Sequence, residues 1–178
     1  MMSQPALPKR PYTECPDITL LQKEIESHLV AHNEMSSKPM ELVCFLYMLE
    51  HLSRVARVIK SPGGNALLVG VGGSGRQSCT RLACFMADYS VFQIEIAKGY
   101  GMEAFREDMK SLATKVGGNG ENTVFLFSDS QIKDEGFVED INNLLNTGEI
   151  PNLFPPDEKV AICEMVRNAA REEGKAPD

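Results

Sequence analysis

The chain has 178 residues, 43% hydrophobic and 24% charged, with 14 Gly and 10 Pro. That is the make-up of one globular domain, or one and a small piece, and it excludes collagen, coiled coil and global disorder. The charge balance is 25 acidic against 18 basic side chains, net −7, and residues 61–178 hold the whole excess, so the chain is poorly suited to nucleic acid.

No apolar run reaches the ~18 residues a membrane helix needs, so no membrane partner is expected. Met1–Tyr12 has no apolar block of the secretory kind. The five cysteines are odd in number and form no CxxC pair, which reads as reduced cytosolic thiols without a zinc site.

Residues 1–16 are rich in Pro and polar residues and are expected to be a linker or tail. Asp17 or Thr19 can cap a helix with an apolar stripe of Ile18, Leu21, Ile25 and Leu29. Asn33–Pro39 breaks it. A second helix places Leu42, Phe45, Leu46, Leu49, Leu52, Ala56 and Ile59 on one face, and Pro62-Gly63-Gly64 ends it. The period then changes. Ala66–Val69 reads as a short buried strand, followed by a glycine run and an amphipathic helix with Leu82, Phe85 and Met86.

Val91–Ile96 predicts a second strand. A helix near Met102–Val116 presents Phe105, Met109, Leu112 and Val116, and Gly117–Gly120 is a turn. Thr123–Phe127 predicts a third, buried strand. Phe137, Ile141, Leu144 and Leu145 mark a helix that Gly148 stops, and a last helix, about Asp157–Glu173, carries Val160, Cys163, Val166 and Ala170. Strands alternating with helices imply an α/β fold with a parallel sheet flanked by helices. Three strands are few for that class, where ~4–6 is usual, so the sheet is expected to be incomplete.

Leu68-Val69-Gly70-Val71-Gly72-Gly73-Ser74-Gly75-Arg76-Gln77-Ser78 is a strand–loop–helix of the phosphate-binding kind. Read as GxxxxGK[ST], it has Gly70 and Gly75 in place, but Arg76 stands for Lys and Gln77 for the hydroxyl that ligates Mg²⁺. Read as GxGxxG, it matches at Gly70, Gly72 and Gly75, with Glu95 at roughly the ribose-binding distance of a dinucleotide fold, though inside the second strand rather than at its end. A bare glycine turn is the bland reading. In Thr123–Ser130 an intact apolar run leads to Ser128 and Asp129, so the acidic pair of a Walker B strand is halved; Asp129 could instead simply cap the next helix.

The stretches "MELVCFLYMLEHLSRVARVIKSPGGNALLVGVGGSGRQS", "FQIEIAKGYG", "TVFLFSDSQI" and "EDINNLLNTGEIPNLF" resemble the fourth AAA+ module of axonemal dynein heavy chains, from about Met40 to Ala170. The resemblance implies a P-loop AAA+ large-subdomain fragment over 63–178, with helices over 17–62 leading into it. It implies a microtubule-based ciliary motor whose fourth module is regulatory, with neighbouring AAA+ modules and dynein subunits as partners. Microtubules would be reached only through parts outside this chain.

By position, Gly70, Val71, Gly72, Gly73, Ser74, Gly75, Arg76, Gln77 and Ser78 would wrap the phosphates of ATP or ADP. Ser128 and Asp129 would face Mg²⁺ and the attacking water, and Asn33–Phe45 would lie near the adenine. Asp129 is the one weak catalytic candidate. Arg76, Gln77 and Ser128 depart from the pattern, and loss of a positioned base alone costs roughly 10²–10⁴ in rate. Binding with little hydrolysis is therefore expected. A nucleotide-free spacer in the ring is the alternative, and an NAD-binding half a more distant one.

His28 and His32 are four apart, but no third metal ligand is in view, so a solvated face is expected. His51 beside Glu50 reads as a satisfied partner, and Glu139 and Asp140 as acid suited to the start of a helix.

Overall fold

A computed structural model describes residues 13–172 and 174. Most of the expected linker, residues 1–12, and Glu173 at the expected end of the last helix lie outside the described residues.

Helix α1 spans Ile18–Met35, and Asp17 caps it as anticipated, accepting from the Thr19 N–H at 2.8 Å and the Thr19 hydroxyl at 2.7 Å. These two bonds hold the Asp17 carboxyl below its ordinary range. Ile25 is buried, whereas Ile18 is exposed. Helix α2, Leu46–Lys60, starts later than the periodicity suggests. Phe45 is its N-cap residue, and Phe45 and Leu46 are exposed. The buried face is Met48, Leu49, Leu52 and Val55.

Helix α3, Arg76–Ala87, is the most deeply buried helix and packs chiefly on α2. Leu49, Leu52, Leu82 and Ala83 form the first core, with Ile25 from α1 and Leu68 against its edge.

Among the described residues the sheet has two strands, β1 (Ser90–Phe92) and β2 (Thr123–Phe125), paired in parallel with Val91 opposite Val124. Both are shorter than their apolar runs and half-buried. The ladder is closed below by Ser90 N–H to the Asn122 carbonyl and above by Leu126 N–H to the Phe92 carbonyl. The α/β, parallel-sheet reading holds at this small scale.

The expected buried strand at Ala66–Val69 does not form. The segment forms no strand and pairs with neither β1 nor β2, and Leu67 and Val69 are 89% and 85% exposed. Apolar, β-branched sequence prepares a strand; a ladder partner completes it, and none lies beside this one among the described residues.

Helix α4 (Met102–Ala113) runs on into a π-turn, Thr114–Gly118, that absorbs the start of the expected Gly117–Gly120 turn. Helix α5 is Glu135–Thr147, ended by Gly148 in the left-handed conformation, and α6 is Pro156–Glu172. Phe105 of α4 stacks on Phe137 of α5 with centroids 4.3 Å apart, and with Ile94, Met109, Ile150 and Leu153 they form the second core. Each of those rings contributes about 1.5–3 kcal/mol by burial. The stripe expected on α6 is not buried: Val160, Cys163 and Val166 are exposed, and Met165 instead reaches over Gly118 of the π-turn. Val116 and Leu145 are also exposed.

Candidate functional site

The glycine loop hangs between the unpaired segment and α3. Leu68 faces the first core while Leu67, Val69 and Val71 face outward. At the far end Gly75 is the N-cap residue of α3, with φ +72°, and Gly73 has φ +77°. An L side chain is strained at either. A Cβ added at Gly72 or Gly73 would meet nothing within 4 Å, so the loop's outer arc is an open backbone surface.

The start of α3 is electrostatically unbalanced. No side chain caps it, and its first turn holds no acid. Its leading N–H groups want an acceptor, and the residue at its first position, Arg76, is a cation at the positive end of the helix dipole. An anion at this spot would satisfy both.

Arg76 turns back into the loop. Its Nη1 donates to the Leu68 carbonyl at 3.3 Å and its Nη2 to the Val71 carbonyl at 3.1 Å. Gln77 is exposed and Ser78 half-buried. The segment before α2 also reaches the loop: an added Cβ at Gly75 would lie 3.6 Å from Leu42. This brings the stretch around Leu42 to the glycine turn.

Because β1 and β2 are parallel, their carboxyl ends share one edge, where open α/β sheets carry ligands. Three contacts tie that edge together. Arg81 of α3 donates to the Gln93 side chain. Gln131 donates to the Ile94 carbonyl at 2.5 Å, and its own oxygen accepts from the Ser128 N–H at 2.7 Å.

Ser128 and Asp129 sit at the β2 exit. Ser128 caps a 3₁₀ turn, Asp129–Gln131, through a capping box with Gln131, and its hydroxyl is 3.0 Å from both the Gln131 Oε1 and the Ser130 Oγ. Asp129 is exposed and accepts from the Ser130 N–H at 3.0 Å. The cap is thus Ser128, not Asp129; the cap of the following helix α5 is Asp134. Gln131 is the residue the sequence reading passed over, although Ser-x-x-Gln is a capping-box pattern.

Glu95 lies three residues beyond β1 and is exposed. His28 and His32 set their rings edge-on to Phe85 rather than forming an open solvated face. His51 packs edge-on to Tyr47, and Glu50 pairs with Arg54. Asp140 is in the second turn of α5 and serves as a buried ion-pair partner of Arg106, not as a complement to the dipole. A groove of about 570 Å³ runs between α4 and α6, away from the glycine loop; its Lys110 is held by Glu107 and Glu158. Among the described residues no helix is long and apolar enough to cross a membrane.

The open glycine loop, the uncapped helix start and the shared strand edge lie in the strand–loop–helix order of a P-loop. The chain belongs to the family described as P-loop containing dynein motor region D4, which it matches over residues 40–178. It is 49% identical to dynein axonemal heavy chain 3 of Homo sapiens over 172 residues, 97% of this chain and 4% of that protein. It is 45% identical to dynein axonemal heavy chain 1 of Rattus norvegicus over 157 residues, and 46% identical to dynein axonemal heavy chain 6 of Homo sapiens over 165. These cover 88% and 93% of this chain and 4% of each relative. The chain thus spans about 4% of the length of the curated relatives it matches. Membership in a P-loop family answers the dinucleotide alternative that GxGxxG and Glu95 raised.

Proposed function

We propose that this chain is a nucleotide-binding, hydrolysis-poor segment of the fourth AAA+ module of an axonemal dynein heavy chain, with a regulatory rather than a driving part in the motor. The observation that carries it is the open arc at Gly72 and Gly73 leading into an uncapped, acid-free helix start. Backbone N–H groups there suit a diphosphate or triphosphate. Gly70–Ser78 hold the phosphates of ADP or ATP, and the segment around Leu42 flanks the base. On this reading residues 63–178 belong to the large subdomain and 17–62 lead into it.

The donor set for Mg²⁺ is thin. Ser128 is committed to its capping box, and Asp129 is the one carboxylate among the described residues at the β2 exit. Bound Mg²⁺ would supply charge neutralisation between phosphates, with Asp129 and hydroxyl oxygens as its protein ligands. Asp129 also stands where a base would activate water, unaided by a second acid. Slow or absent turnover follows. The axonemal relatives imply the axoneme of cilia or flagella, a cytoskeletal setting, with other AAA+ modules of the same heavy chain as neighbours.

Thermal unfolding of the chain with ADP or ATP tests the reading. Millimolar nucleotide should raise the midpoint by several degrees, since ligand at 100 times its Kd adds about 2.7 kcal/mol, and Mg²⁺ should change the shift little. No shift with either nucleotide sinks it. The self-contact of Arg76 favours a second reading, a nucleotide-free spacer, and that null result would be its support.

A further inference from the structure

The loop that would take phosphates already encloses a cation. Arg76 spans the turn from the first position of α3 to the Leu68 and Val71 carbonyls. Its side chain crosses Gly70 so closely that a Cβ there would meet its Cδ and Nε at 3.5 and 3.6 Å, and Ser74 Oγ at 3.3 Å. The Val71 carbonyl is shared, because it also accepts from the Ser74 N–H at 3.3 Å. The two halves of the loop are therefore pinned to each other by one guanidinium. Carbonyl oxygens drawn toward it repel a polyphosphate, so the anion and this arrangement compete.

We infer that Arg76 is a displaceable latch: with no nucleotide bound it closes the loop on itself, and a pyrophosphate-bearing nucleotide settles only after the guanidinium releases the Leu68 and Val71 carbonyls. The inference rests on the proposed nucleotide reading for its second half and on geometry alone for its first. A fork is needed to bridge two carbonyls, so Lys is an incomplete replacement.

Two measurements on the full 178-residue chain decide it. Without nucleotide, ¹⁵N relaxation at residues 72–75 should report an ordered loop in the natural chain. In Arg76→Ala, which suits a helix start, the order parameters should fall below about 0.6, the flexible range, with Arg76→Lys in between. In rapid mixing with a fluorescent ADP, the observed rate should level off as ADP rises in the natural chain, because latch opening becomes limiting, and in Arg76→Ala should climb linearly from a higher intercept, because a phosphate contact is lost along with the latch. Unchanged order parameters in Arg76→Ala, or a linear rate in the natural chain, overturns the latch. If no form binds ADP, the nucleotide reading falls, and the relaxation result alone decides whether Arg76 closes the loop. Should Arg76→Ala fail to fold, Arg76→Lys carries both readouts.

Discussion

Arg106 of α4 grips Asp140 of α5 with two parallel bonds, Nε to Oδ2 at 2.9 Å and Nη2 to Oδ1 at 3.0 Å. The Asp140 side chain is 5% exposed and that of Arg106 37%. The pair lies beside the Phe105–Phe137 stack, so it sets how α4 and α5 meet. Removing the arginine strands a carboxylate in the interior, which is costlier than removing both charges. Arg106→Ala should lose about 2–3 kcal/mol, below the fully buried range because the arginine is partly wet. The double variant Arg106→Ala with Asp140→Leu should recover part of that. Urea unfolding of both reads it; equal losses would show that the carboxylate is not stranded.

The joint between α2 and the glycine-loop segment depends on a close approach. A Cβ at Gly64 would sit 2.0 Å from the Val58 carbonyl oxygen and 2.9 Å from that of Ser61, both backbone atoms. At Gly118 the nearest atom, at 2.7 Å, is the Met165 sulfur, the far end of a flexible chain. Gly64→Ala should therefore cost about 2 kcal/mol or more, and Gly118→Ala under about 1 kcal/mol. Thermal unfolding of the two single variants compares them, and a larger loss at Gly118 contradicts the argument.

The contrast between what was legible and what was not is physical. Asp17 capping α1 and Gly148 ending α5 were readable, because caps are local chemistry. The glycine loop was readable for the same reason. The strand at Ala66–Val69 was not, since pairing is a property of two segments. The face of α2 was legible at Leu49, Leu52, Ala56 and Ile59, which lie in or against the first core, and misjudged in its first turn, where Phe45 is the cap residue and Leu46 is exposed, while Met48 and Val55 join the buried face. The role of Asp140 was hidden because its partner lies 34 positions away in sequence. Ser128 looked like a degraded acid; its capping box with Gln131 gives it a positive structural task.

The thiols give a pH prediction. Burial pushes Cys79 and Cys84 from 9.0 up to about 11, with nearby Arg81 partly opposing this at Cys84. Their folded-state values are raised, so the unfolded chain releases these protons first as pH rises. Stability should be intact below pH 9.0 and should fall between there and about 11. At pH 8 a thiol reagent should react fast at exposed Cys15 and Cys163 and slowly at buried Cys44, Cys79 and Cys84. Mass spectrometry of the labelled peptides checks the order, and Cys79 labelling as fast as Cys163 would refute it.

The unpaired segment before the glycine loop carries the last prediction. Leu67, Val69 and Val71 are 89%, 85% and 79% exposed, while Leu68 packs on the first core. An apolar row with no strand partner among the described residues is a template for another chain, even though Arg76 holds its Leu68 and Val71 carbonyls. Self-association should be concentration-dependent and should start here. Leu67→Lys with Val69→Lys should suppress it and leave unfolding within about 0.5 kcal/mol, as exposed positions allow. Leu68→Ala should instead destabilise by about 1–2 kcal/mol without curing association, because a half-buried leucine gives up part of the usual core cost. Light scattering and urea unfolding on the two variants separate these effects. Association undiminished in the double-lysine chain would move the sticky surface elsewhere, with the exposed α6 stripe of Val160 and Val166 next in line.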